Sequence, residues 1–171
     1  LALPDPFALL QIDIDYFKSF NDHYGYARGD DAIKRLSEIL ISCTLRHGGS
    51  GNFVGHIGGD DFVVVSSPEF AEALGEDIIA EFDRVVTTIY DAEDLARGYI
   101  EVKNRRHQPE RFPPMSLTIA LVRTDKMPVS HLAHLIDVAQ ELKAHGKGIP
   151  GSVVVGERRR PPDTEAERNV A

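Results

Sequence analysis

Apolar positions along this chain change their period several times, and each change marks an element. Residues 7–14 are apolar apart from Gln11 and Asp13, the length and content of a central strand buried on both faces. Residues 25–31 read as a loop. Beyond it Ile33, Leu36, Ile39, Leu40 and Cys43 recur at three- and four-residue spacing, an amphipathic helix for which Asp30 or Asp31 is a natural N-cap. A glycine-rich stretch, residues 45–52, ends it. His56-Ile57 and residues 62–65 are short β-rich segments around Gly58-Gly59-Asp60-Asp61, which predicts a tight hairpin with both acids at its tip.

Ser66-Ser67-Pro68 opens a long helix with Phe70, Leu74, Ile78, Phe82, Val85 and Ile89 on one face. Residues 98–112 hold a β-like piece at 99–102 and a charged turn at 103–110. Residues 115–122 are another strand, and residues 129–145 a third helix with Leu132, Leu135, Ile136, Ala139 and Leu142 inward. A short strand at 152–155 comes last. The order β-α-β-β-α-β-α-β predicts an α+β fold: a mixed, mostly antiparallel five-stranded sheet flanked by helices. One domain over residues 1–156 is expected, followed at 157–171 by a charged segment with Pro161-Pro162 that reads as a disordered tail or linker.

Composition narrows the class. At 171 residues and 42% hydrophobic the chain suits a single packed domain. A formal charge of −8 argues against a general nucleic-acid binder. Cys43 is the only cysteine, so neither an intramolecular disulfide nor a thiolate metal cluster can form. No apolar run approaches the roughly 20 residues that span a bilayer. The expectation is a cytoplasmic domain with no membrane contact from this segment.

Four groups of residues carry candidate chemistry. Asp13 lies near the end of a strand that otherwise looks buried, where a carboxylate either caps the following turn or faces a cation. Asp15 shares its strand face and reads as the structural acid of that turn. Gly58 and Gly59 permit close backbone approach to a phosphate, while Asp60 and Asp61 repel each other unless a cation or donor intervenes. Pairing of the first strand with the hairpin brings Asp13 and Asp60 to one edge, an oxygen-ligand set suited to Mg²⁺. Lys18, Asn21, Asp22 and Gly25 form a third group in the loop expected after the first strand, where Asn21 with Asp30 offers an amide and a carboxylate to a purine edge, or serves as ordinary loop and capping chemistry. Lys143 and Lys147 form the fourth, at a helix end where the dipole alone favours cations. His131 and His134 lack a further ligand nearby and read as helix surface.

These signals also occur in a known order. The run from Asp13 through Phe17, Lys18, Asn21, Asp22, Gly25 and Gly29 to Asp30 resembles the first signature of GGDEF domains, the diguanylate cyclase family. Gly58-Gly59-Asp60-Asp61-Phe62 resembles the hairpin that names that family, Ser116 to Ala120 its late core strand, and Asp137 to Lys147 its third landmark. The resemblance covers roughly residues 7–155. It implies a fold similar to nucleotidyl cyclase and polymerase palm domains, and condensation of two GTP into cyclic di-GMP across an antiparallel dimer of domains. It also implies Asp13, Asp60 and the Ile14 carbonyl as ligands of Mg²⁺ (or Mn²⁺), with Asp60 or Asp61 helping to activate the attacking 3′-hydroxyl. Asn21 and Asp30 would read guanine, Phe17, Lys18, Gly58 and Gly59 would lie along the phosphates, and Lys143 and Lys147 would neutralise them.

The chain departs from the family pattern in several places. Asp61 stands where Glu is usual, retracting a carboxylate by on the order of 1 Å, a misplacement that can cost about 10²-fold in rate. Lys147 stands where Arg is common, replacing a bidentate grip by a point charge. Gly49 and Asn52 occupy the positions of the Arg-x-x-Asp product-inhibition motif, so no inhibitory site is expected there. The family's leading helix is missing or cut away, which removes part of the guanine pocket wall. The expected partners are GTP, a second GGDEF domain and a regulatory or sensor module. The alternatives are a degenerate domain that binds GTP and regulates a linked phosphodiesterase or other partner without turnover, and, more remotely, a palm-like domain with another substrate.

Overall fold

The computed structural model describes residues 5–47, 51–127 and 131–156. A five-stranded sheet runs in the order β2-β3-β1-β6-β7, formed by β2 (Phe53–Gly58), β3 (Asp61–Ser66), β1 (Ala8–Asp15), β6 (Ser116–Arg123) and β7 (Val153–Gly156). Every pair is antiparallel except β6 with β7, so the sheet is mixed and mostly antiparallel as the element order predicts. A separate two-stranded sheet joins β4 (Ile100–Lys103) to β5 (Pro109–Phe112).

Two-residue alternation sorts β1 between two layers. Ala8, Leu10, Ile12 and Ile14 join Leu36 and Leu40 of α2 (Tyr26–His47) and Leu74, Ile78 and Phe82 of α3 (Ala71–Val86) in the main core. Leu9 turns to the other face, where Leu135, Val138 and Ala139 of α5 (Leu132–Gly146) pack on Val122. Asp13 and Asp15 lie on this second face, at the end of β1 that α5's last turn overlies. Beyond α5, the β1-β3-β2 part of that face lies open as an apolar groove of about 640 Å³ lined by Leu9, Val63, Val65, Ile57 and Ile136.

Several expectations need correction. The segment after β1 is not a loop: α1 (Phe17–Tyr24) buries Phe20 fully in the core with Phe17 and Tyr24 packed against it, and this tertiary packing holds so short a helix. The break before α2 is confined to Gly25, at φ 89°, so α2 starts at Tyr26 and Asp30 and Asp31 lie inside it rather than capping it. Asp61 is the first residue of β3, not part of the hairpin tip, which leaves Gly59 and Asp60 in the turn. The end of the expected charged turn, Pro109 and Glu110, belongs to β5, a strand whose outward side chains hide its pairing with β4. Ile89 falls beyond α3, and α4 (Ala92–Arg97) was not foreseen. The expected helix start at 129 and the tail at 157–171 lie outside the described residues.

Gly146 sets how closely α5 approaches the sheet. A Cβ there would meet the Thr118 methyl at 2.6 Å and Val155 at 3.1 Å, closer than packed carbons tolerate. Gly146→Ala is therefore expected to lower unfolding free energy by about 1–3 kcal/mol, the usual cost of overpacking, in urea titrations followed by far-UV circular dichroism.

Candidate functional site

The site forms where β1 ends and the β2–β3 hairpin turns back beside it. Register places Asp13 opposite Asp61 on one side and Thr118 on the other. The Ile14 amide donates to the Asp60 carbonyl at 3.3 Å, which ties the turn to the strand. Gly58 and Gly59 turn the hairpin at φ 148° and 58°, conformations that disfavour any side chain. Space is not the constraint, since a Cβ at either would meet nothing within 4 Å; the backbone stays open to an incoming group. As a result, carboxylate oxygens of Asp13, Asp60 and Asp61 lie within 4.8 Å of one another.

Three acids at this range need compensation, and α5 supplies it from the opposite end of the chain. Lys143 contacts Asp61 Oδ1 at 2.9 Å and Asp13 Oδ2 at 3.5 Å. Lys147 bonds Asp13 Oδ1 directly and approaches Asp15 Oδ1 at 3.4 Å. The buried Asp15 also accepts hydrogen bonds from the hydroxyls of Ser116 at 3.0 Å and Thr118 at 2.9 Å, which makes it a cross-strand tie rather than a free ligand. Burial, with the nearby Asp60 charge, pushes the Asp13 carboxyl above its ordinary value against the pull of both lysines. Burial draws the Lys147 ammonium down, but Asp13 and Asp15 more than offset it and hold it above its ordinary value. The ionised pair prevails, because Asp13 has two ammonium partners and Lys147 has two carboxylate partners.

The donor set fits a divalent hard cation. It offers clustered carboxylate oxygens, a nearby strand-end backbone and no sulfur, the chemistry of Mg²⁺ and Mn²⁺ sites. Asp13, Asp60 and Asp61 are thus brought together with both lysines of the fourth group. Phe17, Lys18, Asn21 and Asp30 sit apart, and among the described residues none of them bonds to the acidic cluster. Lys18 is solvent-exposed and paired with Asp22. Phe17 packs on the core. Asp30 is exposed on α2, and Asn21 has a buried side-chain oxygen without a hydrogen-bond partner. That oxygen rests against Gly29, where a Cβ would come within 1.8 Å of it. Gly29 is therefore what allows Asn21 its place.

Two features escaped the sequence reading. Ser116 and Thr118 are hydroxyls two apart on an otherwise apolar strand, a signal that one face of β6 meets something polar. The other is Asp94 of α4, almost fully buried, which accepts from the Tyr24 hydroxyl, from Arg97 and from His23 Nε2 at 3.1 Å. His23 Nδ1 also reaches the Glu101 carbonyl of β4 at 3.2 Å. Asp94 thereby clamps the end of α1 that follows Asn21. The Tyr24 hydrogen bond foremost, with His23 and Arg97, holds its carboxyl below the usual carboxylate range.

Comparison with known proteins agrees with this geometry. A family model described as "Diguanylate cyclase, GGDEF domain" matches residues 2–97, more than half of the chain. The chain belongs to the GGDEF diguanylate cyclase family. It is 46% identical over 65 residues to a probable diguanylate cyclase, DgcC, of Escherichia coli K12, a match covering 38% of this chain and 16% of that protein. It is 36% identical over 66 residues to diguanylate cyclase A of Treponema denticola, covering 39% of this chain and 17% of the relative. The match thus spans about a sixth of these relatives' length. The fold superimposes on the GGDEF domain of YfiN (TpbB) from Pseudomonas aeruginosa with a TM-score of 0.61 at 20% identity, covering 91% of this chain and 84% of that one. The GGDEF domain of DgcB from Caulobacter crescentus, solved in complex with c-di-GMP, gives a TM-score of 0.57 at 18% identity, covering 88% and 77%. Among the described residues no helix is long and apolar enough to cross a membrane.

Because the Asp94 carboxyl is depressed, its contribution to stability is present above the unfolded value near 4 and is lost as pH falls through the folded value. Asp94→Ala is expected to cost about 1.5–3 kcal/mol at pH 7, the worth of a hydrogen bond to a charged group. Chemical denaturation at pH 7 and pH 3 should show that cost shrinking at the lower pH.

Proposed function

We propose that this chain is a cyclic di-GMP signalling domain that condenses two GTP into cyclic di-GMP with release of two pyrophosphates. The reaction runs across a dimer, each domain presenting one GTP so that its 3′-hydroxyl meets the partner's α-phosphate. The observation that carries this reading is the approach of the Asp13, Asp60 and Asp61 carboxylates within 4.8 Å at the edge where two lysines arrive. Family membership supports it.

In this reading Asp13 and Asp60, with the Ile14 carbonyl, would hold Mg²⁺ or Mn²⁺. A bound divalent ion would supply charge neutralisation at the α-phosphate and alcohol. Gly58 and Gly59 expose backbone to the phosphates, and Phe17 and Lys18 lie along them. Lys143 and Lys147 exchange their carboxylate partners for phosphate oxygens. Asn21 and Asp30 read guanine by its hydrogen-bonding edge. Asp60 or Asp61 accepts the proton of the 3′-hydroxyl. In-line placement of the two nucleotides supplies much of the rate. The domain occupies residues 1–156, works in the cytoplasm and takes its activating signal from a regulatory or sensor module elsewhere in the full-length protein.

One observation favours a second reading, a domain that binds GTP and regulates a linked phosphodiesterase or other partner without turnover. The Asp61 carboxylate is one methylene short of the usual Glu and is engaged by Lys143 at 2.9 Å.

Incubation of the full-length protein with GTP and Mg²⁺ separates the two. Chromatography is expected to show cyclic di-GMP, with none from Asp60→Ala; GTP binding without product at high protein concentration establishes the regulatory reading instead. Asp61→Glu is expected to raise the rate by as much as about 10²-fold, the penalty associated with a 1 Å misplacement. No gain would show that the shorter side chain does not limit turnover.

A further inference from the structure

The lysines do more at this site than wait for phosphate. Both oxygens of the Asp13 carboxylate face an ammonium, Oδ1 that of Lys147 and Oδ2 that of Lys143. A divalent cation needs those same oxygens. Asp13 is 5% exposed, so leaving it uncompensated is costly, and the lysines remove that cost without a metal.

The two lysines are not equivalent. The Lys143 side chain is 13% exposed and is shared between Asp13 and Asp61 inside the cluster. The Lys147 side chain is 43% exposed and springs from the C-cap, just past the last turn of α5. Its four-carbon stem can swing outward without disturbing the helix. Its second partner stays in place when it does, because Ser116 and Thr118 hold Asp15 independently.

We infer that Lys147 is an internal counter-ion that competes with divalent metal for Asp13, so that metal enters together with a nucleoside triphosphate rather than ahead of it. The inference rests on the metal-site reading of Asp13 and Asp60 above. A triphosphate gives the displaced ammonium a new anionic partner, which makes metal and nucleotide binding mutually reinforcing. Lys147 is here a positioning residue for the metal site.

The test is Mn²⁺ binding, read from the free-Mn²⁺ electron paramagnetic resonance signal. The chain is titrated without nucleotide and with a GTP analogue whose α–β bridging oxygen is a methylene. Without nucleotide, Lys147→Met and Lys147→Gln are expected to bind Mn²⁺ about tenfold or more tighter than the unsubstituted chain, the smallest effect an adjacent charge commonly has on a carboxylate's proton affinity. The analogue should tighten Mn²⁺ binding more in the unsubstituted chain than in either variant, and thermal unfolding checks that both variants are folded. Equal or weaker Mn²⁺ binding by the folded variants overturns the inference, as does an analogue that fails to tighten binding in the unsubstituted chain. If Mn²⁺ binds the unsubstituted chain with the analogue but neither variant gains, the lysine inference alone falls. If no form binds Mn²⁺ with or without the analogue, and Asp13→Asn changes nothing, the metal-site reading falls with it.

Discussion

Two acids buried at the end of the central strand govern the arrangement of this domain. Asp13 and Asp15 occupy positions that strand alternation points towards α5, where water cannot solvate them freely. A buried charge stripped of its partner costs about 3–5 kcal/mol, a large share of the stability of any single domain. The chain answers with two hydroxyls from β6 and two ammonium groups from α5. Those groups arrive only if β6 lies beside β1 and α5 closes onto that face with Gly146 against Thr118. Tertiary structure and charge compensation are therefore one constraint, and the gathering of carboxylates with ammonium groups at this edge follows from it.

A second clamp fixes α1, the helix that carries Asn21. The chain turns from β1 into α1 at Tyr16, whose left-handed backbone, φ 61°, is sparsely populated for a non-glycine residue. Such a corner persists only where its surroundings over-determine it. Phe20 buried in the core, the Tyr16 and Phe112 rings 6.2 Å apart, and the Asp94 network together do so. The second sheet and α4 thus serve α1, and through it the placement of Asn21.

The sheet was legible because its information is local. Short apolar runs mark β1 and β6, the glycine pair marks the hairpin, and pairing of β1 with the hairpin brings Asp13 and the hairpin acids together whatever the helices do. The helices around the site were harder. α1 hides behind residues that read equally well as loop chemistry, and α4 is one and a half turns long. Nor could spacing reveal that Lys147 meets Asp13, since the ion pair joins residues near opposite ends of the described chain. Asp94 was invisible for a related reason: in sequence it is one more acid in a helix's first turn, and only folding buries it.

The same logic fixes how Asp61 is to be understood. Were it at a free hairpin tip, a change of side-chain length could be absorbed by the turn. It is instead the first residue of β3, paired with Gly58 on one side and Asp13 on the other. The backbone there is held by ladders on both sides, so the reach of the carboxylate is set by the side chain alone. Aspartate brings it to Lys143, within the plane of charges that α5 already neutralises. One more methylene would lengthen that reach by on the order of 1 Å, with no freedom in the backbone to take it up. The difference between aspartate and glutamate at this position is thus one of geometry and not of charge.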